Sequence, residues 1–198
     1  TARTIHACLM RAAPEPPPVA AGPVRAMVPK ESYLAAARRA VEYIHAGDVF
    51  QVNYAHEFRA AYKGDPFALY LALREANPAP YGAYLDLGRG DAVLSTSPEL
   101  FLRVRGSEVI TRPIKGTRAR GDTPEADRAA AAALAASAKD RAEHVMIVDL
   151  ERNDLGRVCR TGSVEVSSLA RVVALPTVFH LVSTVRGNLR PDVGLAEL

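Results

Sequence analysis

Four side chains in this sequence have the type and setting to do chemistry, and Lys115 is the sharpest case. In Arg112-Pro113-Ile114-Lys115-Gly116-Thr117-Arg118 one lysine stands beside a glycine. It follows the apolar patterns Leu100 to Val104 and Val109 to Ile110, and precedes Thr123-Pro124, which reads as a helix N-cap with proline in the first turn. The pattern predicts a turn between a strand and a helix. Most turn lysines are solvated cations, but an ammonium that is desolvated or crowded by positive charge, here from Arg118 and Arg120, becomes a nucleophile. Glu143 lies on a predicted helix, sharing a face with Asp140, Ile147 and Leu150. Because Val145, Met146, Ile147, Val148 and Leu150 cover nearly every direction around its axis, that helix reads as buried. A carboxylate there needs a partner, either Lys139 or Arg141 as an ion pair, or Mg²⁺ shared with water and substrate oxygens. Glu99, just after Pro98 and between two strands, is either an exposed acid or a buried, protonated general acid. His180 sits in an alternating strand with Val178, Val182 and Thr184 on its face, as a core histidine or an acid–base group.

The elements that must position these residues follow from periodicity and punctuation. Residues 31 to 46 place Tyr33, Ala37, Ala40, Val41 and Ile44 on one helical face, and Gly47 reads as the C-cap. Strands are predicted for Val49 to Tyr54, Tyr81 to Leu87, Ala92 to Ser97, Leu100 to Val104, Glu108 to Thr111, Ser163 to Val166, Arg171 to Leu175 and Val178 to Val185. Helices are predicted for Pro66 to Glu75, for Pro124 to about Ala136, and from Ser137 toward Arg152, where Ser137 and Asp140 resemble a capping box. Strands in blocks with helices between them indicate an α+β fold. Prolines 14, 16, 17, 18, 23 and 29 make residues 12–30 a linker, and residues 1–11 read as the tail of a preceding domain. Residues 31–198 form the remaining domain.

Composition excludes several classes. With 198 residues, 48% of them hydrophobic, the chain can bury a core. A net charge of +3, from 25 basic and 22 acidic residues without a long basic run, no Trp and 6% aromatics argue against a nucleic-acid partner. Cys8 and Cys159 match no metal-ligand spacing and read as free thiols in a reducing compartment. No run of apolar residues is long enough to predict a membrane span, and nothing at the start reads as a secretory signal, so the expected location is cytoplasmic.

Six ordered motifs then resemble one family. They are Ala46 to Asn53, Pro80-Tyr81-Gly82-Ala83-Tyr84, Ser97-Pro98-Glu99-Leu100-Phe101, Arg112 to Thr117, Lys139 to Gly156, and His180 to Val185. Together they are similar to the chorismate-utilising enzymes, from about Tyr33 onward. The resemblance implies an anthranilate synthase component I-like α+β fold of packed mixed and antiparallel sheets flanked by helices. It implies Glu99 as general acid, His180 near the departing C4 hydroxyl of chorismate, Glu143 as a Mg²⁺ ligand, and Gly116 and Thr117 at the substrate. Tyr81, Gly82 and Ala83 match a segment that binds tryptophan in relatives, or are simply a strand start. The isochorismate and salicylate synthases carry a water-activating lysine where this chain has Gln51, which is no base at neutral pH. Anthranilate synthases typically carry alanine at the position of Lys115, whereas Pro-Ile-Lys-Gly-Thr is the form seen in aminodeoxychorismate synthases. The implied activity is amination of chorismate at C4 through a Lys115 adduct, with ammonia from a glutamine amidotransferase subunit or domain. Alternatives are an anthranilate synthase-like amination with pyruvate loss, and a remnant that only binds a partner. The family normally continues beyond the point matching Leu198 with a second magnesium glutamate and an arginine and tyrosine for the substrate carboxylates, so the fold is expected to be incomplete here.

Overall fold

The computed structural model describes residues 21–198. The expected tail at residues 1–11, Cys8 and residues 12–20 of the expected linker lie outside the described residues. The chain divides into two compact units, residues 1–72 and 73–198.

In the first unit, α1 (Lys30–Ala46) ends where the sequence places its stop. Gly47 adopts φ 82°, and its N–H donates to the Ile44 carbonyl. Strand β1 (Arg25–Ala26) pairs antiparallel with β2 (Phe58–Arg59). Tyr33, Tyr54, His56 and Phe58 form a chain of tilted ring contacts with centroids 4.4–5.0 Å apart. The strand expected at Val49 to Tyr54 is not formed. These residues are exposed and take part in no ladder among the described residues, and a β pattern without a paired neighbour does not make a strand. Helix α2 (Pro66–Ala76) follows.

The second unit holds β3 (Tyr81–Gly88) and β4 (Asp91–Ser97) as an antiparallel hairpin, and a five-stranded antiparallel sheet. That sheet is β5 (Leu100–Arg105), β6 (Glu108–Arg112), β7 (Ile114–Ala119), β8 (Glu165–Ala174) and β9 (Val178–Asn188). Strand β9 is its axis. Along one edge β6 pairs with residues 185–188 and β7 with residues 178–182, while β8 runs along the other edge. Pro113 sits between β6 and β7, where its missing N–H costs no ladder bond, and its carbonyl accepts from the Ser183 N–H. Ser163 to Val166 and Arg171 to Leu175, expected as separate strands, are joined in β8. Its register shifts at Ser168 and Arg171 absorb the interruption, with Ala170 at φ 48°.

Two helices cover one face of this sheet. Thr123 caps α3 (Pro124–Ala136) by accepting from the Ala126 N–H, and Ser137 caps α4 (Ala138–Val158) by accepting from Asp140 N–H. The reciprocal half of the expected capping box is absent, since the Asp140 carboxylate turns to Arg118 instead. Val109, Val148, Leu155, Cys159, Val185 and Leu189 form one core cluster, and Leu134, Phe179 and Leu181 a second. Alternation along β9 explains this, for Phe179, Leu181, Ser183 and Val185 are all buried. Helix α4 is not buried all round as its sequence suggests. Val145 and Leu150 are each 41% exposed, and the inward seam is His144, Val148, half-buried Glu151 and Leu155, at i, i+4, i+7 and i+11.

Candidate active site

Lys115 lies in a strand, not in the turn its flanking glycine suggested. The register of β7 on β9 pairs Lys115 with Leu181 and Thr117 with His180, so Gly116 is the extra residue of a β-bulge. Gly116 has φ 74°, and a Cβ there would stand 3.0 Å from the Asp140 Cβ and 3.2 Å from Leu134 Cδ1. Glycine is needed for both conformation and helix approach. Its neighbours hold the bulge in place. Arg118 donates to the Thr117 carbonyl and to Asp140 Oδ2, each at 2.8 Å. Hydrogen bonding from Ser137, with the Arg118 charge, lowers the Asp140 pKa.

Glu99 and Lys115 converge on one residue of this bulge. Glu99 Oε1 accepts from the Ile114 N–H at 2.7 Å, and Lys115 Nζ donates to the Ile114 carbonyl at 3.0 Å. Lys115 is half-buried, whereas Glu99 is exposed rather than enclosed. Arg118 and Arg120, expected as positive neighbours of Lys115, are paired instead with Asp140 and Asp127, and the Arg120 guanidinium stacks 4.7 Å over Phe179.

His180 is tied to the same bulge. Its Nδ1 lies 3.2 Å from the Gly116 carbonyl oxygen and 3.0 Å from Thr117 Oγ1. A carbonyl can only accept, so Nδ1 carries the proton and Nε2 is left as an acceptor. A cavity of about 120 Å³ is lined by Tyr81, Pro98, Arg112, Ile114, His180 and Val182 among others. Tyr81 therefore opens onto the same space as His180, and its hydroxyl accepts from Arg112 at 3.4 Å. Gly82 and Ala83 pair with Thr96 and Ser95 in the β3–β4 hairpin. Gln51 is exposed in the first unit.

Helix α4 supplies two residues that sequence reasoning did not single out. Glu151 accepts from Thr111 Oγ1 at 3.0 Å, and burial raises its pKa, with Glu99 adding to the rise and Thr111 and Lys115 opposing it. It also lines a cavity of about 510 Å³ with Thr111, Leu155 and Arg190, although Lys115, Glu99 and His180 do not. His144 is fully buried, 2.5 Å from Ser183 Oγ through Nε2. Burial lowers its pKa, Lys115 adds to that, and Glu99 opposes. The signal for both was the i, i+4, i+7 seam with Val148, obscured by the other apolar residues of the helix.

Glu143 is half-buried, and makes no ion pair with Lys139, Arg141 or any other described residue. No group of three or more His, Cys, Asp or Glu that could hold a metal occurs among the described residues. This donor set does not fit an all-protein metal cage. A single unpaired carboxylate is the kind of group that magnesium uses, with water and substrate oxygens as its remaining ligands. Cys159 is buried and its thiol pKa is raised by desolvation, which marks it as a packing residue. Among the described residues no helix is long and apolar enough to cross a membrane.

Residues 3–198 match the family model described as chorismate binding enzyme. The chain is 48% identical over 169 residues to aminodeoxychorismate synthase component 1 of Escherichia coli (strain K12), covering 85% of this chain and 37% of that protein. It is 50% identical over 160 residues to anthranilate synthase component 1 of Thermus thermophilus, covering 81% of this chain and 34% of that protein. The chain thus spans little more than a third of these curated relatives. Anthranilate synthase component I from Streptococcus pneumoniae TIGR4 superposes with a TM-score of 0.79 at 31% identity, over 98% of this chain and 43% of that one. A putative 2,3-dihydroxybenzoate-specific isochorismate synthase from Bacillus anthracis superposes with a TM-score of 0.75 at 25% identity, over 91% of this chain and 49% of that one. The α+β fold, the ordered motifs and these matches agree, and the chain belongs to the chorismate-binding enzyme family.

Proposed function

We propose that this chain takes part in amination of chorismate at C4 to give 4-amino-4-deoxychorismate. The observation that carries this reading is the convergence of Glu99 and Lys115 on the two backbone groups of Ile114. Lys115 Nζ, once deprotonated, forms a bond to C2 of chorismate. The ring electrons shift toward C4, and the C4–O bond breaks with Glu99 delivering its proton, so that water departs. Ammonia then attacks C4, the electrons shift back, and the C2–N bond breaks to release Lys115. Dividing one displacement into two lowers each barrier. His180 Nε2, held as an acceptor by the Nδ1 contacts, receives a hydrogen bond from the C4 hydroxyl and positions it. Gly116 lets substrate approach the backbone, and Thr117 orients His180. Glu143 would hold Mg²⁺, which supplies charge for the substrate carboxylate. Ammonia comes from a glutamine amidotransferase subunit or domain, as the large-component relatives suggest. A folate-precursor role follows from that product.

A second reading, amination followed by pyruvate loss to anthranilate, is favoured by the 50% identity to an anthranilate synthase component 1. The test is incubation with chorismate, Mg²⁺ and ammonium, with products separated and identified by mass. Aminodeoxychorismate that disappears in Lys115→Ala supports the proposal. Anthranilate supports the second reading, and unchanged chorismate with folded protein overturns both for this chain.

A further inference from the structure

Strand β9 has a second face, turned away from α3 and α4, and the pairing of its neighbours puts two arginines there. Ser168 of β8 stands opposite Thr184, Arg171 opposite Val182 and Val173 opposite His180, and partners directly across a ladder share a face. On the other edge Thr111 stands opposite Val185 and reaches Glu151 of α4, so the next residue, Arg112, belongs to the opposite face, that of Thr184. Arg112 and Arg171 thus flank β9 from its two edges. Both line a cavity of about 250 Å³ with Ser168, Val173, Val182 and Thr184. The cavity of about 120 Å³ beside Tyr81 and His180 shares Arg112, Val173 and Val182 with it.

The charge in this space is one-sided. No Asp or Glu lines either cavity. Arg118 on β7 and Arg186 on β9 each hold a carboxylate, whereas Arg112 and Arg171 hold none among the described residues. Arg112 Nε is shielded from solvent and donates to no described residue, and the contact of its Nη1 with the Tyr81 hydroxyl is long, at 3.4 Å. A shielded donor that carries charge and has no acceptor is costly, and two guanidiniums over a floor of valines focus a positive potential into the cavity. An anion relieves both. A guanidinium presents parallel N–H donors that match two oxygens of one oxyanion, and a serine or threonine hydroxyl donates one bond more. We infer that this face carries an oxyanion site, in which Arg112 and Arg171 clamp a compact dianion, a phosphate or paired carboxylates, and Ser168 and Thr184 donate to its remaining oxygens. The inference does not rest on the chorismate reading, since the site uses neither Lys115 nor Glu99, and Thr184 lies about 13 Å along the strand from His180.

Inorganic phosphate and succinate are titrated separately into the unsubstituted protein by calorimetry, in chloride at fixed ionic strength so that screening is constant. Saturable binding of one anion per chain is expected; phosphate alone assigns a phosphate group, succinate alone assigns paired carboxylates, and both assign any compact dianion. Arg171→Gln, at an exposed position, and Arg112→Gln are each expected to weaken binding at least about tenfold, the range of one lost charge-assisted hydrogen bond. Arg38→Gln, at an exposed position on α1, removes the same charge and should leave the affinity unchanged. Should Arg112→Gln fail to fold, Arg171→Gln decides by itself. Absence of saturable binding by both anions, or an equal loss in Arg38→Gln, overturns the inference. Nitrogen-15 NMR supplies a direct readout: the Arg112 Nε–H signal is expected to shift along the same binding curve, and an unmoved signal overturns the assignment of Arg112 to the site.

Discussion

Gly116 shows how much one residue decides. It gives the strand its bulge, and the bulge sets Lys115 opposite Leu181 and Thr117 opposite His180. Gly116→Ala meets both a left-handed backbone and contacts of 3.0–3.3 Å from Asp140, Leu134 and Leu181. The expected loss is about 1–3 kcal/mol of stability, read as a lower denaturation midpoint, together with weaker chorismate binding. Glu151 makes a prediction with a sign. Burial raises its folded pKa above that of the unfolded chain, so the folded form holds the extra proton between the two values. Stability therefore falls as pH rises through the carboxylate range, and the deficit is complete above the folded pKa. Glu151→Gln keeps an acceptor for Thr111 and cannot ionise. Its urea midpoint is expected to match that of the parent below about pH 4 and to exceed it at neutral pH. A constant difference at every pH would show that the carboxyl's charge is irrelevant.

At the scale of elements, α4 matters most, because it carries Glu143, His144 and Glu151 and packs on β9, the axis of the sheet. Its start is set by Ser137, whose side chain accepts from the Asp140 N–H and so also anchors the residue that pairs with Arg118. Ser137→Ala is expected to cost about 1 kcal/mol, seen by thermal denaturation. Because Asp140 stands against Gly116, the same change should weaken substrate binding, whereas the equivalent loss of cap at Thr123→Ala on α3 should lower the midpoint alone. The helix starts were legible in the sequence, since Thr123-Pro124 and Ser137 are local signals. The partner of Asp140 was not, for Arg118 is brought to it by pairing of β7 with β9, a contact between residues far apart in the chain.

Across the whole molecule, protection follows burial. Strand β9 is paired along both edges and buries six of its residues, whereas α1 buries none. Hydrogen exchange read by mass spectrometry should find β9 and the inward seam of α4 slowest and α1 fastest among the helices. Exchange of α1 as slow as that of α4 would contradict the division of the chain into two units. The family membership and the α+β class belong to this scale too, and both were readable beforehand, because five of the six motifs and the blocks of strands run the length of the second unit.

The sequence by itself determined the elements whose signals are local: caps, glycine stops, the alternation of β9 and the ordered motifs of the family. These depend on residues a few positions apart, so they survive without knowledge of the fold. Only the tertiary structure decided that Lys115 stands in a bulged strand, that Val49 to Tyr54 form no strand, and that α4 turns His144 and Glu151 inward. Pairing and burial are set by partners distant in sequence. A glycine beside a lysine reads equally as turn or bulge until β9 supplies the edge, and an apolar helix has no inward face until a sheet selects one.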